Sequence, residues 1–582
     1  MKSFWGKLFA VIGVIAVVVI LVVAIALLTL TGKDSVPGKT ILEVNFEKSF
    51  VEYIPDDPLA RAMLNNSLIV RDVIEALKIG TSDDRVIGLI ATTGAGRIGL
   101  AEIQEIRQAI IDFRRAGKIA VIFSETFGEW GAGNGCYYLA SAFDEVYLQP
   151  SGDIGLTGIM AETPFVKGTL DKLGVVPRMG QRYEYKTAVN MFTQEKCTPA
   201  HRESYERVTE SMFGQMVGDI AGARNLEQEK LRTMIDHGPF IGKEALEAGL
   251  VDGLAYRDEA YERIKELTDK EAELLYLNEY FKRSDRPYSK GKTVALIFGV
   301  GGVSRGASGY DPLFGDIIMG AETVAEAFRK AVDDDDVKAI LFRVDSPGGS
   351  YVASDVVWHE VKRAREKGKP VVVSMGEVAA SGGYFVSMAA DKIVAQPGTI
   401  TGSIGVYGGK MYTREMWKKI GITWDKVKSS ANADIWSGVD DYTPDQMARG
   451  DAALDRIYED FTAKVAEGRN LPLEKVLEIA RGRVWTGEDA LELGLVDKLG
   501  GYPEAIALIK ELTGIEPDAD IDLKEFPEKK SMLNRLLKSD PANSEETSVL
   551  VRTTELIQPL AVLARRLGLL EQPGVLTASG YY

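Results

Sequence analysis

The feature that most constrains this chain is that it is written twice. "GKTILEVNFEKSFVE" from Gly38 aligns with "GKTVALIFGVGGVSRG" from Gly291 at an offset of 253, and "DDRVIGLI" from Asp83 with "DDDVKAIL" from Asp334 at 251. Further on, "YYLASAFDEVYLQPSGDIGLTGI" answers "YFVSMAADKIVAQPGTITGSIGV" at 247, which pairs Asp144 with Asp391 and Pro150 with Pro397; "GKEALEAGLVDGL" then meets "TGEDALELGLVDKL" at 245. The order is kept over some 240 residues while the offset drifts through short insertions, which is the mark of a duplicated domain. A chain of 582 residues is too long for one core. Length alone, at roughly 100–200 residues per domain, suggests three or four units, and the repeat lowers that count. The first repeat covers residues 38–283 and the second 291–535. "FKRSDRPYSK" (281–290) reads as a polar linker, and residues 536–582 as a tail that "KSDPANSEETS" introduces and an interrupted amphipathic stretch continues.

Within each copy, apolar strands alternate with amphipathic helices: "AILFRVD", then "ASDVVWHEVKRAREKG", then "PVVVSM", then a helical pattern after Ser381. That rhythm predicts an α/β layered fold. "GKT" at 38–40 and 291–293 lacks the glycine that a phosphate loop places five positions before its Gly-Lys pair, so both tripeptides are expected to lead into strands.

Charge and composition narrow the function. A formal net charge of -16 with no basic tract argues against nucleic acid as a partner. Cys136 and Cys197 stand in no ligand spacing and read as packed thiols, and the three histidines form no HExxH motif, so no metal site is expected. So few histidines also handicap a Ser-His-Asp mechanism. From Leu8 to Gly32 run 25 residues without a charge, where about 20 cross a bilayer as a helix. This reads as one N-terminal transmembrane anchor (8–32) behind a short cytoplasmic N-terminus (1–7). Lys2 and Lys7 before it put the rest of the chain outside the cytoplasm, although Lys33 and Lys39 weaken that orientation and "AIA" leaves cleavage open.

The copies differ where chemistry is expected. Counting back 247 from Ser381, in "AASGGYF", lands on Asn134, in "GNGCYYLA", and "DSPGGS" (345–350) faces "TTGAGRIG" (92–99), which lacks the Pro-Gly-Gly turn. The second copy therefore holds both a hydroxyl nucleophile and glycine N–H groups able to face an oxyanion. As the residue before a helical pattern, Ser381 also reads as a helix cap, and the two roles are compatible. His359, the one histidine in these segments, reads as a solvated or partly packed helical residue. The alternative base is a desolvated lysine, whose pKa must fall by roughly two to three units from about 10.4. Lys186, in "RYEYKTAVNMF", lies 52 residues after Asn134, and Ala433 lies 52 after Ser381. One ancestral site has been divided, the serine kept in one copy and the lysine in the other. Lys426 and Lys428 are rival amines a few residues off the expected place.

The anchor, the tandem architecture, "SPGGS", "AASGGYF", "TGSIG" and "YEYKTAV" together resemble the long, two-repeat form of the bacterial signal peptide peptidase A family, also called protease IV. The resemblance implies tandem Clp/crotonase-like domains with Ser381 as nucleophile, Lys186 as general base, and the N–H groups of Gly349 and Gly382 as the oxyanion hole. It also places Ser403, in "TGSIG", as a supporting hydroxyl near the amine; a plain turn serine is the other reading, and its first-copy counterpart is Leu156. The implied activity is a membrane-anchored serine endopeptidase of the cytoplasmic membrane. Its body would stand on the extracytoplasmic side and degrade cleaved signal peptides and other apolar peptides, without metal or cofactor, as a homotetramer. A crotonase-type acyl-CoA enzyme and a non-catalytic membrane scaffold are the alternatives.

Overall fold

A computed structural model describes residues 35–94, 98–311 and 315–528. The predicted anchor over 8–32 and the tail over 536–582 lie outside the described residues. Both "GKT" tripeptides lead into strands, Thr40–Asn45 and Lys292–Val300.

Six parallel strands of the first repeat run in the order Gly253–Leu254, Glu145–Leu148, Ile119–Ser124, Val86–Thr93, Thr40–Asn45, Glu273–Tyr276. The second repeat gives the same order with Lys498–Leu499, Lys392–Ala395, Val371–Ala380, Val337–Ser346, Lys292–Val300 and Ile521–Phe526. Here the long central strand Val371–Ala380 forks. Its first half pairs with Lys392–Ala395 and its last three residues pair with Ile400–Gly402, which pairs antiparallel with Val484–Thr486. The corresponding strands of the first repeat, Asp153–Ile154 and Phe240–Ile241, form a separate pair.

Strand Val371–Ala380 is buried along its whole length, as a parallel strand covered on both faces must be. Alternate residues face opposite layers. Ile297, Phe342 and Val373 pack beneath the helices Ala321–Asp333 and Tyr351–Glu366, whereas Leu296, Leu341 and Val372 pack against helix Tyr502–Thr513. The second layer is completed by Val70 and Ile74 from helix Val70–Ser82 of the first repeat. At about 1.5–3 kcal/mol for each fully buried aliphatic side chain, such residues bind the repeats together.

The junction also carries charge. Arg343, on the central strand Val337–Ser346, is 1% exposed and reaches into the first repeat, where its guanidinium donates to Glu52 at 2.6 and 2.9 Å and to Glu105 at 2.9 Å. The Tyr502 ring lies 4.5 Å from it. From the opposite direction, Glu377 accepts the N–H groups of Leu100 and Ala101, and so caps the first-repeat helix Leu100–Arg115 with a second-repeat carboxylate. Its carboxyl is pushed up to about 7 by burial. Finally, Val176–Arg182 of the first repeat pairs antiparallel with Val406–Tyr412 of the second, Arg182 opposite Val406.

The expected linker is in part helix. Residues 281–283 end helix Leu277–Arg283, because Phe281 is buried with Tyr280 in the first-repeat core and holds the turn in place.

Candidate active site

Ser381 stands where strand Val371–Ala380 ends and helix Gly382–Ser387 begins. Its backbone is at φ 55°, ψ -116°, a region that costs a non-glycine residue on the order of 1–3 kcal/mol and is held only by its surroundings. They do hold it: its N–H donates to Gly402 and its carbonyl accepts from Phe385. The side chain caps nothing. Of the two readings of this serine, the cap is absent, and the bent backbone turns Oγ out of the helix toward the other repeat.

What it meets there is Lys186. Nζ lies 3.0 Å from Ser381 Oγ, 2.7 Å from the Ser403 carbonyl oxygen and 2.9 Å from Ser403 Oγ. The lysine is 5% exposed, and burial pushes its amine down to about 7, with no carboxylate among the described residues beside it to restore the charge. A neutral amine has two N–H bonds and one lone pair. The two Ser403 oxygens can take both N–H groups, one of them a carbonyl that can only accept. The lone pair is then left for the Ser381 hydroxyl. Ser403 Oγ lies 3.4 Å from the Gly482 carbonyl, an outlet for its own proton.

The cross-repeat strand pair explains how residues so far apart in the chain converge. Val176–Arg182 leads directly into the Lys186 turn, while Val406–Tyr412 begins three residues after Ser403, so their pairing sets lysine and serine side by side. The Pro-Gly-Gly turn closes over the opposite side. At Gly348 a Cβ would meet the Gly382 nitrogen at 2.6 Å, and at Gly349 it would meet the Val303 carbonyl oxygen at 2.2 Å. With φ of 104° and 154°, both positions require glycine. A Cβ at Gly382 would lie 2.9 Å from the Gly349 nitrogen, so the two amides are neighbours. Neither donates to a backbone carbonyl among the described residues.

The other candidates fall elsewhere. His359 is exposed on helix Tyr351–Glu366, and Lys426 and Lys428 pair with Asp434 and Asp440 on an exposed loop. At the first-repeat station, the Asn134 amide donates to the Gly158 carbonyl and its oxygen accepts from Thr157 and Gly158, three hydrogen bonds that stay within its own repeat. Leu156, opposite Ser403, is fully buried.

Over residues 126–271 and 363–516, one stretch in each repeat, the chain matches Peptidase family S49. The chain belongs to that family. It is 34% identical to Protease 4 of Salmonella typhi over 466 residues, 78% of this chain and 73% of the relative. With the chloroplastic serine protease SPPA of Arabidopsis thaliana it shares 29% over 485 residues, 82% of this chain and 70% of the relative. A putative signal peptide peptidase SppA of Enterococcus faecium is 33% identical over 183 residues, 31% of this chain and 53% of the relative. This S49 chain is therefore a serine peptidase, which decides against the acyl-CoA enzyme and the inert scaffold.

Two features that support this arrangement escaped the sequence reading. One is the turn Arg481–Gly482–Arg483, whose carbonyls and close packing hold the lysine turn. The other is the buried Arg343 pair that docks the repeats. A glycine between two arginines was the only visible trace of the first, and a charge inside "AILFRVD" of the second.

Proposed function

We propose that this serine peptidase works through a Ser381–Lys186 dyad completed across its two repeats. Neutral Lys186 takes the hydroxyl proton as Ser381 Oγ bonds to the carbonyl carbon of the scissile peptide. The oxyanion that forms is stabilised by the N–H groups of Gly349 and Gly382 and by the positive end of the helix after Ser381. The Lys186 ammonium then gives its proton to the departing amine, the C–N bond breaks, and water, deprotonated by the same amine, releases the acyl group. Ser403 fixes the direction of the lone pair. The observation that carries this reading is the 3.0 Å approach of Nζ to Oγ in a site where burial pushes the amine down to about 7, so that the neutral form is well populated at pH 7.

The substrates are peptides, and on this reading apolar ones, among them signal peptides left after cleavage; the name of the Enterococcus relative supports this. The uncharged segment over 8–32 would anchor the chain in the cytoplasmic membrane with the body, repeats 38–283 and 291–535, on the extracytoplasmic side, assembled as a homotetramer.

Ser381→Ala and Lys186→Ala are each expected to lower kcat/KM by about 10⁴-fold or more while the protein stays folded. A fluorophosphonate should label wild-type Ser381 and leave the serine variant untouched. Full activity in either variant refutes the dyad.

A further inference from the structure

The lysine turn rests on three residues of the second repeat. The Arg481 carbonyl accepts the N–H groups of Tyr183 and Tyr185, on either side of Glu184 and just before Lys186. Arg481 is at φ 56°, a strained setting for arginine, and its side chain pairs with Glu184. Gly482, at φ 85°, is packed so closely that a Cβ would stand 2.5 Å from both the nitrogen and the Cβ of Lys186. Its own N–H donates to the Ile404 carbonyl, and the Arg483 carbonyl accepts the N–H of Ser403. One turn therefore touches the base on one side and the serine that orients the base on the other. Some 245 residues earlier the first repeat has Asp236, His237 and Gly238, and there the turn packs on Leu156 with no lysine to hold.

We propose that Arg481–Gly482–Arg483 is the positioning element of the dyad: it sets the height of the Lys186 amine above Ser403 and so its reach to Ser381. This rests on the Ser/Lys mechanism proposed for the site. The charged side chains around the turn, Glu184 with Arg481 and Glu203 with Arg483, pair with one another. The amine thus depends on close packing, and the packing depends on the missing Cβ of Gly482.

In the full-length enzyme, Gly482→Ala is expected to push the lysine turn away. The expected result is a fall in kcat of about 100-fold, KM within about three-fold, and an activity profile that rises at higher pH because the displaced amine is hydrated. Glu184→Ala, on the exposed rim, loosens the same turn without crowding the interior; it should lower kcat about two- to five-fold with a smaller shift in the same direction. An upward shift in either variant supports the proposal, and wild-type pH profiles in both overturn it. Lys186→Ala, measured alongside, separates the two ideas. If that variant is active, the dyad fails; if it is dead while Gly482→Ala and Glu184→Ala keep the wild-type profile, the positioning role alone fails.

Discussion

At one station of the fold the second repeat has Ser381 and the first has Asn134, and the two side chains behave in opposite ways. Asn134 folds its amide back on Thr157 and Gly158, so a half-buried polar group is satisfied inside its own repeat. Ser381 makes no such local bond, and its hydroxyl is met by an amine from 195 residues away. The difference teaches that duplication let each copy lose one half of a site. A station without chemistry is free to lock its loop, whereas one facing an incoming base must leave its side chain unlocked and accept a bent backbone.

If one site is shared across two repeats, then docking is part of catalysis. The largest effect on that comparison comes from Arg343→Ala, which leaves Glu52 and Glu105 buried without their cation. It is expected to cost about 3–5 kcal/mol in denaturant unfolding and to remove activity with it. An activity that survives full loss of this stability would show that the halves need not dock.

Next in size is Lys186→Met. A lysine held near 7 when folded binds a proton more weakly than in the unfolded chain, so the wild type gains stability as pH rises from about 7 to 10.5. At about 1.4 kcal/mol per pKa unit, the fall from 10.5 to about 7 costs wild type about 5 kcal/mol at pH 6. Lys186→Met escapes that cost but gives up the two Ser403 contacts, so the variant should be more stable by about 3 kcal/mol at pH 6, and the gain should fade toward pH 10. A gain that does not change with pH would mean the amine is not desolvated. Ser403→Ala leaves one amine N–H without its partner and should lower kcat about ten-fold. The smallest change is expected from Asn134→Ser placed in Ser381→Ala. The first repeat's Lys186 stands beside Ser381 and not beside Asn134, and that repeat has no Pro-Gly-Gly turn, so peptide hydrolysis should stay absent; any recovery would show that the first station kept more of the ancestral site than its sequence suggests.

Much of this was legible in one sequence because duplication supplies an internal comparison. The alternation of strands and helices, the entry of "GKT" into strands, and the complementary losses at 134 and 433 can all be read from the chain itself. The structure brings Ser381, Lys186 and Ser403 together, and sets the Gly349 and Gly382 amides side by side. What could not be read depends on partners in the other copy. "VPRMGQR" is half-buried along its length and gains its meaning as a strand only from Val406–Tyr412. Arg343 looks like a misplaced charge until Glu52, 291 residues earlier, lies against it. Gly482 has no local role as marked as the one it plays beside Lys186. Local pattern also misread residues 281–283, where one buried phenylalanine outweighs polar neighbours.

The strand Val176–Arg182 waits for a mate that the ribosome makes more than 200 residues later. On the dyad proposed above, the first half of the chain carries during synthesis an amine with no alcohol to act on, and the alcohol meets its base only when the two repeats have paired. Ile521–Phe526, on the edge of the second repeat's sheet, is among the last strands to emerge. On that mechanism a newborn chain is unarmed toward its neighbours, and toward itself, until its second repeat has been built.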